Sequence, residues 1–185
     1  NRSVIEFFPL FNQWITQFKV RMNEILVVQI APRLIGDATD KTEPYPSAWM
    51  DNYSSWYQFL SQDQSWVFEL TNTLREVLPG FENFKFVPAG ENAQILKAVF
   101  SGKELIFRFQ ELSDGQRALI ILYTLLIASQ KENYVLCIDE PENFLALPEI
   151  QPWLLQLYDS CSEGKTQALL ISHHPELINY LLASP

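Results

Sequence analysis

Two acidic residues follow an apolar run in the C-terminal half of the chain. Residues 134–138 read Tyr-Val-Leu-Cys-Ile, and Asp139, Glu140 and Pro141 come directly after them. The run predicts a strand buried on both faces of a parallel sheet, and ligands bind at the carboxyl ends of such strands. There Asp139 can hold Mg²⁺ and Glu140 can accept a proton from an attacking water. The alternative is an acidic turn without a catalytic role.

A second apolar run, residues 168–171, ends in Ser172, His173, His174 and Pro175. Neighbouring side chains of an extended chain point in opposite directions, so we expect only one of the two histidines to enter a site. Adjacent histidines make a poor chelate, which argues against a metal site here. Taken alone, this pattern is better explained by two solvated imidazole rings at the end of a strand.

A third pattern is the start of a helix at Leu112-Ser113-Asp114-Gly115-Gln116-Arg117. Ser113 and Gln116 have the spacing of a capping box, in which each side chain bonds to the backbone N–H of the other residue. Gly115 leaves the first turn free of a side chain, and a helix start with free N–H groups favours phosphate. The alternative is a well-capped helix that binds nothing.

Gly164-Lys165-Thr166 is similar to the end of a phosphate-binding loop, but Asp159 stands where the first glycine of that motif is required. The predicted order is also inverted, because a helix precedes this segment and a strand follows it. We therefore interpret it as a helix-to-strand turn.

Hydrophobic periodicity and turn residues predict an α/β fold. Strands that alternate with helices at the end of the chain predict a parallel sheet flanked by helices, and closely spaced turns before them predict an antiparallel meander beside a helical insertion. We expect one domain whose first part is residues 1–110 and whose second part is residues 111–185. The predicted helices are 4–18 (with Pro9 in an early turn), 56–78, 114–130, 148–161 and 175–183; the strands are 25–30, 84–88, 94–100, 104–109, 134–138 and 168–171; the main loop is 36–55.

The composition limits the classes of protein to which the chain can belong. The chain has 185 residues, 48 % of them apolar, and a net charge of -9. Its length suits one domain or most of one, and its charge disfavours a nucleic-acid surface spread over the whole chain. No apolar run approaches the length of a membrane helix, and the first residues do not form a signal peptide. The chain has only two cysteines, which is typical of a reducing compartment. We therefore expect a cytoplasmic protein.

In their order and spacing these motifs resemble those of the ABC-class ATPases, and most of all the stand-alone AAA/ABC-type proteins related to chromosome-maintenance, recombination and OLD-family ATPases. Residues 112–116 resemble the signature motif, residues 134–140 resemble Walker B, and Ser172-His173 resembles the switch-histidine loop. The resemblance covers about residues 105–182 clearly and the earlier residues more weakly. It implies the C-terminal part of an ABC-type P-loop ATPase head.

The resemblance implies a role for each matching residue. Asp139 would hold Mg²⁺, Glu140 would be the general base, and His173, rather than His174, would contact the γ-phosphate. The residues implied to contact ATP or the dimer interface are Ser113, Gly115, Gln116 and Asn143. The implied partners are ATP, Mg²⁺ and a second ATPase head, with a homodimer as the expected assembly.

Two features depart from the family pattern. Residues 144–148 form a loop that is one residue longer than the family's and lacks its histidine, and no Walker A loop precedes the other motifs. We therefore interpret the chain as a part of a longer ATPase that is inactive by itself. The alternative is a non-catalytic interaction or regulatory module. The sequence leaves open what ATP hydrolysis drives and whether DNA, a nuclease, another effector domain or a transporter subunit is the partner.

Overall fold

The computed structural model describes residues 9–102, 105–132 and 134–183, which form a mixed α/β fold. The predicted start of the first helix, residues 4–8, and Lys103 and Glu104 of a predicted turn and strand lie outside the described residues. The elements are α1 (Pro9–Asn23), β1 (Ile25–Gln29), β2 (Ala38–Thr39), α2 (Tyr53–Leu60), α3 (Gln64–Val77), β3 (Phe81–Ala89), β4 (Ala93–Phe100), β5 (Leu105–Arg108), α4 (Asp114–Glu132), β6 (Val135–Asp139), α5 (Leu147–Ser162), β7 (Gln167–Ile171) and α6 (Pro175–Ala183).

A three-stranded parallel sheet in the order β1–β6–β7 carries the acidic and histidine motifs. The strands are in register, so that Gln29, Asp139 and Ile171 lie side by side at their carboxyl ends. On one face the side chains of Leu26, Val28, Leu136 and Ile138 are buried, and α4 and α5 pack on the sheet. The predicted parallel sheet is confirmed.

The prediction that the acidic strand is buried on both faces is wrong for the described part of the structure. On the opposite face Val135, Cys137 and Asp139 of β6 are only half-buried. Their neighbours Val27 and Leu169 are 65 % and 57 % exposed. An apolar strand composition predicts burial, but it does not say which chain segment covers each face.

The predicted antiparallel meander is confirmed. Strands β3, β4 and β5 pair in sequence order, and the short β2 adds to β4. Aromatic side chains of α2 and α3 pack against this sheet, with Tyr57 in edge contact with both Trp66 and Phe84. Helix α4 is buried from Ala118 to Ser129 and contacts α3, α5 and β6. It is apolar on all sides because both layers pack around it.

Two helix predictions are wrong in their extent. The predicted helix 56–78 is two helices, α2 and α3, because the Asp63 carboxylate accepts the N–H groups of Ser65 and Trp66 and so caps a new helix. Helix α1 continues to Asn23 instead of ending near residue 18. Its last residues, among them Lys19, Arg21 and Met22, are good helix formers without a breaker.

The cap at Asp63 gives a prediction for stability. The pKa of the Asp63 carboxyl is lowered by hydrogen bonds from the side chain and the backbone of Ser65. Asp63→Ala should lower the melting temperature by about 2–4 °C, because the first N–H groups of α3 lose their acceptor. Asp63→Asn is the control, since its amide oxygen still caps. Thermal unfolding followed by circular dichroism measures both variants, and an equal loss in the two would contradict the capping role.

Acidification should lower the stability of the parental protein and of Asp63→Asn by different amounts. The folded pKa of Asp63 is below its unfolded value, so its contribution is present above the unfolded pKa and is lost as the pH falls through the folded one. The parental protein should therefore lose more stability in acid than Asp63→Asn does.

None of the helices in the described part of the chain combines the length and the apolar character needed to cross a bilayer.

Candidate functional site

The carboxyl ends of the parallel strands bring the acidic pair and the histidine motif together. Asp139 is the last residue of β6, and the backbone N–H of Glu140 donates to the carbonyl of Ile171, the last residue of β7. The chain that follows each strand therefore starts at the same edge of the sheet. This edge is where parallel α/β sheets place their ligands.

Glu140 is held by two side chains. Its φ of +50° lies in the left-handed region, which is uncommon for a residue other than glycine, so the chain turns sharply as β6 ends. Its Oε1 lies 2.6 Å from Nδ1 of His173, and its Oε2 accepts a hydrogen bond of 2.7 Å from Nδ2 of Asn143. The carboxylate is largely buried whereas the His173 side chain is 85 % exposed. A second molecule can therefore reach the imidazole.

The loop that carries His173 is tied to the loop after Glu140. Ser172 Oγ donates to the carboxylate of Glu142. His174 contributes its backbone N–H, which donates to Ser172 Oγ over 3.1 Å. The side chain that contacts Glu140 is that of His173, the histidine that the family resemblance favours.

Asp139 has a partner that sequence reasoning missed. Gln29 ends β1 next to Asp139, and its Nε2 donates to Oδ2 of Asp139 over 3.1 Å. A signal was present in the sequence, since Gln29 is the one polar residue of the predicted apolar strand 25–30. The pairing of β1 with β6 could not be read from the sequence, and so Gln29 was not connected with the site.

The donor set fits Mg²⁺ better than a metal that needs a full cage of side chains. Within residues 9–102, 105–132 and 134–183, no group of three or more histidine, cysteine, aspartate or glutamate side chains could hold a metal. Mg²⁺ is commonly held by one or two carboxylates, waters and substrate phosphates. Asp139, half-buried at the strand end and oriented by Gln29, can supply such a carboxylate.

The predicted capping box at the start of α4 is present. The Ser113 Oγ accepts the N–H of Gln116 at 3.1 Å, and the Gln116 Oε1 accepts the N–H of Ser113 at 3.0 Å. Arg117, which is buried, donates to the carbonyl of Pro32 at 2.6 Å and fixes the helix against the segment after β1. Ser113 itself is exposed. The helix start is therefore rigid and open to a second molecule.

Gly115 has a packing role that sequence reasoning missed. A Cβ at this position would lie 2.8 Å from the carbonyl oxygen of Phe144, closer than real Cβ contacts come. The sequence explained Gly115 by the space it leaves for phosphate, and the structure adds that the loop after Glu140 fills part of this space. A cavity of about 660 Å³ lies beside this contact, lined by residues 76–79 and by Ser113, Gly115, Gln116, Leu119, Phe144, Leu145, Pro148, Glu149 and Pro152.

The predicted site residues thus fall into two groups. Asp139, Glu140, Asn143 and His173 lie together at the strand ends, whereas Ser113, Gly115 and Gln116 form the start of α4. The loop of residues 141–145 joins the groups, because it carries both Asn143 and the Phe144 carbonyl. Asn143, which the family resemblance assigns to contact with ATP or the dimer interface, donates a hydrogen bond to Glu140 of its own chain.

A family of known proteins matches most of the chain. The model of the family described as "AAA domain, putative AbiEii toxin, Type IV TA system" matches residues 25–179. None of the curated proteins is similar enough to match the chain.

Two solved structures resemble the fold. One, from a study of ATP-driven dimerization and DNA-stimulated activation of SMC ATPases, has a TM-score of 0.49 at 14 % identity over 66 % of this chain and 75 % of its own. The other, an SmcHead bound to the C-winged helix domain of ScpA, has a TM-score of 0.50 at 14 % identity over 69 % of this chain. The chain spans 40 % of that second structure, and the likeness to it shows a common fold.

Proposed function

The chain belongs to the AAA domain family whose model it matches, a membership that supports a nucleotide-binding ATPase function, and on this premise we propose that it is the catalytic C-terminal part of an ATP-hydrolysing head. The observation that carries the proposal is the contact of Glu140 with both His173 and Asn143 beside Asp139, at the carboxyl ends of neighbouring parallel strands. In this proposal residues 1–110 and 111–185 are two parts of one domain.

The reaction is the attack of water on the γ-phosphate of ATP. Glu140 takes a proton from the water as the new O–P bond forms and the bond to ADP breaks. His173, whose imidazole is exposed, turns from Glu140 to the γ-phosphate and stabilises its charge. Mg²⁺, held by Asp139, would neutralise the charge on the phosphate oxygens, and Gln29 would keep the Asp139 carboxylate oriented.

We further propose that the start of α4 acts on ATP that a second head binds, so that two heads enclose the nucleotide. The hydrogen bonds of the capping box hold Ser113 and Gln116 within their own helix, while Ser113 remains exposed. A helix start with this geometry favours the negative charge of a γ-phosphate. The second head is expected to be another copy of the same protein.

The phosphate-binding loop must come from another segment of the full-length protein. No Gly-x-x-x-x-Gly-Lys-Ser/Thr motif occurs in the chain. In the described part of the structure β7 is at the edge of the parallel sheet, and Val27, Leu169 and Ile171 on one of its faces are 65 %, 57 % and 55 % exposed. Because parallel sheets are normally covered on both faces, this apolar face supports a further strand and helix that carry the Walker A loop.

This proposal predicts the nucleotide affinity of the chain by itself. Residues 1–185 alone should bind Mg-ATP weakly or not at all, since the backbone amides and the lysine that cradle the α- and β-phosphates are absent. Isothermal calorimetry with Mg-ATP measures this, with the full-length protein as the positive control. Micromolar binding by residues 1–185 would contradict the proposal that a further segment is needed.

A non-catalytic interaction or regulatory module is the second candidate, because the chain lacks its own phosphate-binding loop. The two candidates differ in the upstream sequence and in turnover. A Walker A motif upstream together with ATP hydrolysis by the full-length protein supports the enzyme. Absence of both supports the module.

A further inference from the structure

Asn143 restricts the rotation of the Glu140 carboxylate through a hydrogen bond. A hydrogen bond to one carboxylate oxygen restricts rotation about the last bond of the side chain, and a donor on each oxygen restricts it further. His173 lies against Oε1 and Asn143 donates to Oε2. When His173 turns to the γ-phosphate, as the proposed function requires, Oε1 becomes free for the proton of the water, and Asn143 is the contact that remains.

The loop that carries Asn143 is itself fixed. The N–H of Asn143 donates to the Glu140 carbonyl over 3.1 Å, and the N–H of Leu145 donates to the Glu142 carbonyl over 3.0 Å. Phe144 has a φ of +71°, in the left-handed region. Its carbonyl is directed at Gly115, where a Cβ would be only 2.8 Å away. The backbone on either side of the Asn143 amide therefore has little freedom to move.

We propose that Asn143 is a positioning residue that holds the Glu140 carboxylate for proton transfer, and that Gly115 allows the loop of residues 141–145 to approach α4 closely enough to place it. The inference rests on the proposed function of Glu140 as the general base. It gives Asn143 a role within its own subunit in place of contact with the nucleotide, and it links the start of α4 to the base through one short loop.

The first test compares Asn143→Ala and Asn143→Asp in the full-length protein. Alanine removes the donor, and aspartate keeps the shape while placing a like charge beside Glu140. Each should lower kcat by about 10–100-fold with KM for ATP unchanged, since a small misplacement of a reacting group has an effect of this order. Asn92→Asp, an exposed residue of a hairpin turn, is the control for the change in charge and should keep the parental kcat.

A double-mutant cycle separates positioning from a general structural defect. In the Glu140→Gln background, Asn143→Ala should not lower the residual single-turnover rate further, because the base that it positions is already absent. A further drop of the same size as in the parental background would overturn the inference. Unchanged kcat with a raised KM would also overturn the inference, because it would show that Asn143 contacts the nucleotide.

Gly115→Ala tests the second half of the inference. Alanine favours a helix more than glycine does. The substitution should therefore not weaken α4, and a change in the stability of α4 alone would not reduce activity. If the loop must move away from the new Cβ, kcat should fall, and the effect should not add to that of Asn143→Ala. Gly36→Ala is the matched control, since a Cβ there meets nothing within 4 Å.

The outcomes distinguish this inference from the function on which it rests. Parental kcat for Asn143→Ala, with turnover lost in Glu140→Gln, would refute the positioning role and leave the function intact. Parental turnover in Glu140→Gln would instead refute the proposed base.

Discussion

Glu140→Gln in the full-length protein is expected to abolish turnover while ATP still binds. The glutamine side chain is nearly isosteric, and its amide oxygen can still accept the hydrogen bond that Asn143 donates to Glu140. It cannot take a proton from the attacking water. Loss of a general base costs about 10²–10⁴ in rate. Because ATP is bound and not consumed, the variant should also accumulate as a dimer.

Steady-state hydrolysis, ATP binding and size-exclusion chromatography with ATP measure the three parts of this result. Glu176→Gln is the control, since Glu176 is exposed in the first turn of α6 and the change removes the same charge. Hydrolysis at the parental rate by Glu140→Gln would show that Glu140 is not the base. Loss of ATP binding would instead show that Glu140 contributes to nucleotide affinity.

Ser113→Arg is expected to block ATP-driven dimerization and hydrolysis and to leave ATP binding by the monomer intact. Ser113 is exposed at the start of α4, where an arginine would occupy the space proposed for the γ-phosphate of the second head. Removal of preorganised donors to a reacting phosphate reduces turnover by about 10²–10³. Loss of ATP binding by the isolated monomer would contradict the action of Ser113 across the dimer.

Ser113→Ala separates the effect of side-chain size at the interface from the effect of the helix cap. Alanine removes the acceptor for the N–H of Gln116 without filling the interface. It should destabilise the start of α4 and permit more dimerization than arginine does. Equal loss of dimerization in the two variants would point to the helix cap alone, and the signature motif would then be only a capped helix.

Mixed dimers test the shared site directly. When Ser113→Arg is combined with a protein that lacks the Walker A lysine, one composite site carries both lesions and the other carries neither. Partial activity should return if a single intact site is sufficient for turnover. Absence of recovery would leave open that both sites must act together.

The elements whose pattern is local could be predicted from sequence. The turns around residues 89–92 and 101–102 place β3, β4 and β5 in a meander, and hairpin pairing needs only neighbouring residues. The capping box of Ser113 and Gln116 is likewise contained in four residues. The break between α2 and α3 was missed although Asp63 marks it, because apolar spacing continues across it and conceals the new cap.

Residue types and spacing predict which side chains could do chemistry: an aspartate and a glutamate at the end of one apolar run, a histidine at the end of another, and a capping box at a helix start. Which of these groups meet depends on the fold. Parallel pairing of β1, β6 and β7 places Gln29 on Asp139 although the two are 110 residues apart. The close approach of Phe144 to Gly115 connects the helix start to the loop that carries Asn143. Such contacts depend on the register of strands and the packing of loops, which many distant residues fix together, and no short segment of sequence encodes them.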